Sequence, residues 1–159
     1  LEDRYSKRHE IDSVFLTDES IQQIDPVNWL YYSDNDKVTI LNKDGYEIES
    51  SNIIAFKAVR PTMRSIFGPI TLYKVGQTCK GKCDYNANNL STEGYYGWTE
   101  SNVHRFARDN WNSDYVVLKV EMPTSAVCRA NDGRIRSSEL TVRNKCGTYG
   151  IGGRRRFFS

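Results

Sequence analysis

Residues 137–142 read Ser-Ser-Glu-Leu-Thr-Val, and this alternation of polar and apolar side chains predicts a strand with one buried face. An Asp-Gly turn signal at Asp132-Gly133 precedes the strand. A second turn is predicted over 144–147, from which residues 148–151 pair back as a hairpin. Glu139 thus lies where a strand leaves a loop, on rigid backbone that can support a functional side chain. The alternative interpretation is a solvated glutamate at a strand end.

The chain has 159 residues, enough for one domain with a hydrophobic core. Its net charge of +2 does not select nucleic acid as a partner, although three arginines occupy 154–156 and the first third is locally acidic. No apolar run approaches the ~18 residues that span a bilayer, and no signal peptide is visible. Because the chain begins with Leu1 instead of Met, we expect a fragment or a processed piece of a longer protein.

Four cysteines occur, at Cys79, Cys83, Cys128 and Cys146. Their spacing matches paired zinc knuckles poorly, so we predict no metal site. A chain of this size does not depend on disulfides for its stability. Disulfides and free thiols are therefore both compatible with the sequence.

Hydrophobic patterning predicts the remaining elements. Strands are predicted over 27–32, 37–41, 46–48, 53–59, 69–75 and 115–122, with a turn at 33–36. Helices are predicted over 19–24, capped by Asp18, and over 102–111, capped by Ser101. Residues 94–100 indicate a short aromatic strand or bend, and residues 77–93 a long loop that is functional or mobile. The order predicts an α+β fold with a split, mainly antiparallel sheet and few short helices.

Three segments carry a family resemblance: Leu72-Tyr73-Lys74-Val75, the run from Gly94 through Trp98-Thr99-Glu100-Ser101 into a helix, and the Glu139 strand with its returning strand. Their order resembles the mono-ADP-ribosyltransferase toxins, particularly the C-terminal toxin tips of Rhs-type polymorphic effectors. The resemblance covers residues 69–152. It implies an ADP-ribosyltransferase-like core over 66–159, with 1–65 as a strand-rich extension packed on it in one compact domain.

The resemblance also implies a reaction, in which ADP-ribose passes from NAD, without a metal, to a macromolecular target. Glu139 would stabilise the oxocarbenium-like charge that develops on the ribose. Five residues would bind NAD: Tyr73, Lys74, Tyr96, Trp98 and Thr99. Ser137 and Glu100 would support the site or the acceptor.

Two positions depart from the family pattern. Lys74 stands where the family has an arginine for the dinucleotide phosphates, and a lysine lacks its planar, two-pronged geometry. Ser137 stands where the family has the first glutamate of Glu-x-Glu, which makes an arginine acceptor less expected. For other residues the alternatives are structural: Lys74 as an exposed strand residue, Trp98 as a core residue and Thr99 as a helix-entry residue.

A toxin of this kind implies a secreted or delivered effector that acts in the cytoplasm of a target cell. It also implies a cognate immunity protein that covers the aromatic cleft, and NAD hydrolysis is a variant of the same chemistry. Two other classes stay open. One is a toxin ribonuclease with His9 or His104 as its acid or base and the arginines at 154–156 on RNA. The other is a non-catalytic module whose aromatic cleft binds a peptide or sugar.

Overall fold

The computed structural model describes residues 29, 32–67, 70–90, 92–150 and the backbone of 155–156. Its two α-helices are α1 (Asp34–Asp44) and α2 (Glu100–Asn110). Its strands are β1 (Glu47–Glu49), β2 (Asn52–Val59), β3 (Thr78–Lys80), β4 (Tyr95–Gly97), β5 (Tyr115–Pro123), β6 (Val127–Arg129), β7 (Ile135–Ser137), β8 (Glu139–Tyr149) and β9 (Arg155–Arg156). A 3₁₀ turn, Thr124–Ala126, joins β5 to β6. Neither of these 11-residue helices is long and apolar enough to cross a membrane.

The strands form two antiparallel sheets. The main sheet has the order β1-β2-β5-β8-β3, and β9 pairs with β8. The second sheet has the order β4-β7-β6. β2 pairs with β5 along its whole length, from Asn52 opposite Pro123 to Val59 opposite Val116. The predicted α+β class with mainly antiparallel sheets is therefore confirmed, while the division of the chain at residue 65 stays a prediction.

The main sheet is covered on both faces. One face packs against α2, where Val103 and Ala107 contact Ala58 and Val117. The other face packs against α1 and the second sheet, and its fully buried side chains include Ala55, Leu118, Val120, Met122 and Leu140. Burying a valine, leucine or methionine side chain in this way stabilises the fold by about 1.5–3 kcal/mol. This inter-sheet core fixes the position of β4, and β4 borders the candidate site.

The prediction of a turn at 33–36 and a strand over 37–41 is wrong, because α1 occupies this region. Ser33 is the N-cap, and its Oγ accepts a 3.2 Å hydrogen bond from the backbone N–H of Asp36. Gly45 ends the helix with φ = 105°, a left-handed conformation that glycine adopts without strain. The caps and the burial of Ile40 and Leu41 outweigh the β-branched composition that favoured a strand.

The predicted strand over 69–75 is also wrong, because residues 70–75 form no strand and meet the residues just before them in an isolated bridge, Arg64 opposite Leu72. Ser65 N–H donates to Thr71 O at 2.9 Å, and Tyr73 N–H donates to Met63 O at 2.8 Å. We call residues 63–73 the excursion; its tip at 68–69 lies outside the described residues. Ile70 and Leu72 are exposed, at 57 % and 41 %, so this segment does not bury the apolar face that a strand of the core would bury.

The predicted turn at 144–147 and the hairpin at 148–151 are wrong, because β8 continues from Glu139 to Tyr149. The pairing of β8 with β5 shifts register twice, between Val117 and Leu118 and between Lys119 and Val120. These irregularities let the polar residues 144–147 stay within the strand. The strand start at Glu139, the 115–122 strand and the 102–111 helix are confirmed, although Thr99 and not Ser101 caps α2. The predicted elements at 19–24 and most of 27–32 lie outside the described residues.

Candidate functional site

A cleft of about 830 Å³ opens beside β4, where β2, α2, the excursion and the loop after β3 meet. Six aromatic residues line it: Phe67, Tyr73, Tyr95, Tyr96, Trp98 and Phe106. Three cationic residues also line it, Lys57, Lys82 and Arg134, against one carboxylate, Glu93. Apolar walls with a few polar groups are typical of small-molecule sites. The excess of cations favours an anionic ligand with flat rings.

Lys57 lies in the middle of β2, at an inner wall of this cleft. Its Nζ donates a 3.1 Å hydrogen bond to the carbonyl oxygen of Tyr96 and lies 5.5 Å from the ring centroid of Tyr73. No carboxylate of the described chain lies within 4.0 Å of Nζ. Desolvation therefore lowers the pKa of Lys57 to about 8.

Arg134 lies on another wall and is already paired. Its guanidinium carbon lies 4.7 Å from the ring centroid of Trp98, a cation–π contact. Nη2 forms a 2.6 Å ion pair with Asp132, and Nη1 donates to the carbonyl oxygen of Leu90 at 3.0 Å. The charge of Arg134 is thus compensated within the protein, whereas that of Lys57 is not.

Arg136 holds the loop that forms the third wall. It is 0 % exposed, and its guanidinium donates to the backbone carbonyls of Asp84, Asn86 and Asn89. The segment predicted as a long functional or mobile loop includes β3 and this anchored stretch. A cleft wall fixed by a buried arginine is preorganised for a ligand.

Two further groups tighten the same loop. The carboxylate of Asp84 accepts hydrogen bonds from Asn86 N–H at 2.8 Å and from Asn89 Nδ2 at 2.8 Å, and these bonds lower its pKa. The hydroxyl of Tyr96 donates to Thr92 O at 2.6 Å and accepts from Thr92 N–H at 2.7 Å. Tyr96 therefore fixes the loop from one side while its ring faces the cleft.

The structure brings three of the five predicted NAD-binding residues together: Tyr73, Tyr96 and Trp98 line the cleft. Tyr73 is 3 % exposed, and the other two are half-buried. Trp98 packs between Arg134 and the Phe106 ring, whose centroid is 5.0 Å away. Lys74 lies outside the lining; its side chain is exposed, and its backbone N–H donates to Gln77 Oε1 at 3.1 Å.

Thr99 and Glu100 lie at a different hollow, of about 490 Å³, at the start of α2. The hydroxyl of Thr99 accepts a 3.3 Å hydrogen bond from the N–H of Asn102, which is the N-cap bond of α2. His104 also lines this hollow. Its Nδ1 lies 2.8 Å from the hydroxyl oxygen of Tyr115. The pKa of His104 is lowered, mainly by burial and to a smaller extent by the positive charge of Arg108. His104, one of the two histidines of the ribonuclease alternative, is therefore not part of the cationic cleft, and His9 lies outside the described residues.

Glu139 and Ser137 lie where β8 begins, at the β3 edge of the main sheet. The Glu139 carboxylate lies 3.6 Å from Lys80 Nζ, and the neighbouring Leu140 points into the core. Ser137 is fully buried, and its Oγ accepts a 3.0 Å hydrogen bond from Glu139 N–H. Glu139 is not part of the cleft lining, but Gly81, which follows its partner Lys80, is. The roles of both residues stay predictions.

The cysteines form no disulfide. Burial raises the pKa of Cys83 to about 11 and raises those of Cys79 and Cys128. Such thiols are poor nucleophiles at neutral pH. Within the described ranges, no group of three His, Cys, Asp or Glu side chains is placed to hold a metal ion.

Sequence reasoning missed Lys57 and Arg134. A lysine inside the apolar run of residues 53–59 is a usable signal, because a charged side chain on an otherwise buried strand needs a reason. Arg134 follows the Asp-Gly turn and carried no such signal. Compared with models of known families, with curated proteins and with solved structures, the chain matches none. Its function is therefore inferred from the site itself.

Proposed function

We propose that the cleft binds NAD and that the protein transfers ADP-ribose from NAD to a macromolecular target. The observation that supports this most is the ammonium of Lys57, which has no carboxylate within 4.0 Å among the described residues and lies in a cleft lined by six aromatic residues. NAD offers two flat rings and a pyrophosphate with two negative charges. Its rings match the aromatic walls, and its charge matches the cation.

The chemistry needs a carboxylate near the ribose. When the bond between the ribose and nicotinamide breaks, its electron pair leaves with nicotinamide, and positive charge develops on the ribose. The acceptor then supplies an electron pair to the same carbon and loses a proton. Glu139 is our candidate for stabilising this charge, because its ion pair with Lys80 is loose at 3.6 Å and 75 % of the Lys80 side chain is exposed. Lys80 directly precedes Gly81, a residue of the cleft lining.

Further parts of the proposal concern partners. The excursion presents Phe67, 57 % exposed, at the cleft, and Ile70, also 57 % exposed, just beyond it. An acceptor protein or a cognate immunity protein would bury these side chains when it covers the cleft. Delivery into the cytoplasm of a target cell belongs to the same proposal.

The test is incubation of the purified protein with NAD labelled in the adenylate half and a whole-cell lysate. Glu139→Gln is compared with wild type, and Glu47→Gln, an exposed glutamate on β1, is the matched control. We expect a labelled protein band with wild type and Glu47→Gln and none with Glu139→Gln. Nicotinamide release without a band would indicate NAD hydrolysis instead. Absence of NAD consumption by wild type would contradict the proposal.

A further inference from the structure

We infer that Lys57 is the anion-binding group of the cleft and that its ligand is a phosphate or pyrophosphate group. The inference rests on the proposed function and deepens it, because it assigns the phosphates of the nucleotide to Lys57 and not to Lys74. Lys57 was not among the residues that the sequence singled out. Its assignment comes from the placement of β2 beside β4.

The ammonium of Lys57 has unused hydrogen-bonding capacity. It carries three donors, and one of them is bonded to the carbonyl oxygen of Tyr96 at 3.1 Å. The ring of Tyr73 shields it at a centroid distance of 5.5 Å. Lys57 belongs to the cleft lining, so its remaining donors can serve a ligand that enters the cleft.

Among the described residues, no carboxylate lies within 4.0 Å of the Lys57 ammonium, although Glu93 also lines the cleft. A desolvated cation is unfavourable unless it is paired. Asp132 is bound to Arg134, and the nearby group that affects Lys57 most is the thiol of Cys79, whose own pKa is raised. A phosphate oxygen would supply the missing charge and form a charge-assisted hydrogen bond.

The other cations are less suited to this role. Lys74 is exposed and lies outside the lining. Arg134 already binds Asp132 and the carbonyl of Leu90. Lys82 lines the cleft but is exposed, so water screens its charge. Lys57 combines access to the cleft with a desolvated, uncompensated charge.

The test is a calorimetric titration of the protein with sodium pyrophosphate. We compare wild type with Lys57→Met and with Lys74→Met as the matched control. Lys57→Met should weaken binding by at least about tenfold, as expected when a desolvated charge pair loses one partner. Lys74→Met should stay within about twofold, because a solvent-screened charge adds little. Equal binding by wild type and Lys57→Met, or loss of binding in Lys74→Met alone, would overturn the inference.

A second measurement needs no variant. The ¹³Cε chemical shift of Lys57 reports its protonation across a pH titration, with and without pyrophosphate. Bound pyrophosphate should raise the pKa of Lys57 above its value in the free protein, because a negative charge stabilises the ammonium. An unchanged titration at saturating pyrophosphate would overturn the assignment even if Lys57→Met fails to fold.

The two proposals fail in different ways. If pyrophosphate binding depends on Lys57 but wild type consumes no NAD, the anion site stands and the proposed function is wrong. If wild type transfers ADP-ribose and Lys57→Met leaves the KM for NAD unchanged, the function stands and the assignment of Lys57 is wrong. Lys57→Arg, which keeps the charge, should restore part of the binding lost in Lys57→Met.

Discussion

The ammonium of Lys57 donates a 3.1 Å hydrogen bond to the carbonyl oxygen of Tyr96, and this bond links β2 of the main sheet to β4 of the second sheet. The two residues are 39 positions apart in the chain and meet because Phe56 and Trp98 exchange backbone hydrogen bonds of 2.8 and 2.9 Å. A charged group therefore lies where two sheets converge on an aromatic cleft. Its consequences for stability and binding are measurable.

Lys57 should make stability depend on pH. Burial lowers its pKa from 10.5 to about 8, so between these values the folded protein binds fewer protons than the unfolded chain. The contribution of Lys57 to the free energy of unfolding should therefore rise with pH across this window. Below pH 8 its charge destabilises the fold by on the order of 3 kcal/mol.

Urea denaturation of wild type and Lys57→Met at several pH values between 7 and 10.5 measures this effect. Relative to Lys57→Met, wild type should gain stability as pH rises through this range. The change in packing that the substitution itself causes adds an offset that is the same at every pH. A difference that does not vary with pH would show that the ammonium is not desolvated.

Arg136 should be indispensable to the cleft wall. Arg136→Met removes a fully buried guanidinium and leaves three backbone carbonyls without their donors, and we expect a loss of about 3 kcal/mol in the free energy of unfolding. Hydrogen exchange of residues 84–89 should accelerate. Arg105→Met, at an exposed position on α2, is the control and should change stability by less than about 0.5 kcal/mol. Equal stability of the two variants would contradict this role.

Gly97 of β4 lies close against the main sheet. A methyl group there would lie 2.9 Å from Ala55 Cβ and 3.0 Å from Met122 Cε, so Gly97→Ala should cost about 1–3 kcal/mol through overpacking. At Gly81 the added methyl group would meet only the movable end of the Tyr95 side chain, at 3.2 Å, and Gly81→Ala should cost less. Thermal unfolding of both variants measures these losses of stability, and a larger loss for Gly81→Ala than for Gly97→Ala would refute the packing explanation.

Thr99 should act on the helix and not on NAD. Thr99→Ala removes the N-cap bond to Asn102 and should lower the free energy of unfolding by about 1 kcal/mol, whereas Thr99→Ser should keep it. The KM for NAD should stay unchanged in both variants, because Thr99 lies outside the cleft. A raised KM in Thr99→Ala with unaltered stability would instead place Thr99 on the ribose.

The sequence predicted correctly those helices and strands whose hydrophobic pattern is strong over the whole element. The apolar run of β5, the alternation that begins β8 and the amphipathic face of α2 all appear where the sequence indicates them. α1 was mispredicted because a Val-Thr-Ile run favours a strand, while the Ser33 cap and the Gly45 stop favour a helix. The excursion was predicted as a strand from its β-branched and aromatic residues, but tertiary context decides whether such a segment joins a sheet, and here Ile70 and Leu72 stay exposed.

The site was predictable only in part. Tyr73, Tyr96 and Trp98 were singled out and do lie at one cleft, whereas Lys74, Thr99 and Glu139 are distributed over three other places. Lys57 and Arg134 enter the cleft through long-range pairing, which no local pattern encodes. The direction in which a strand residue points depends on register, and a shift of one residue reverses it.

The central claim is that the cleft binds NAD. The most direct test is a titration of the isotope-labelled Glu139→Gln variant with NAD, in which the backbone amide chemical shifts are measured. This variant is chosen to keep NAD intact during the experiment. We predict saturable shifts that cluster at Lys57, Tyr73 and residues 94–98, with α1 unaffected. No shifts at millimolar NAD, or shifts that cluster away from the cleft, would contradict the account.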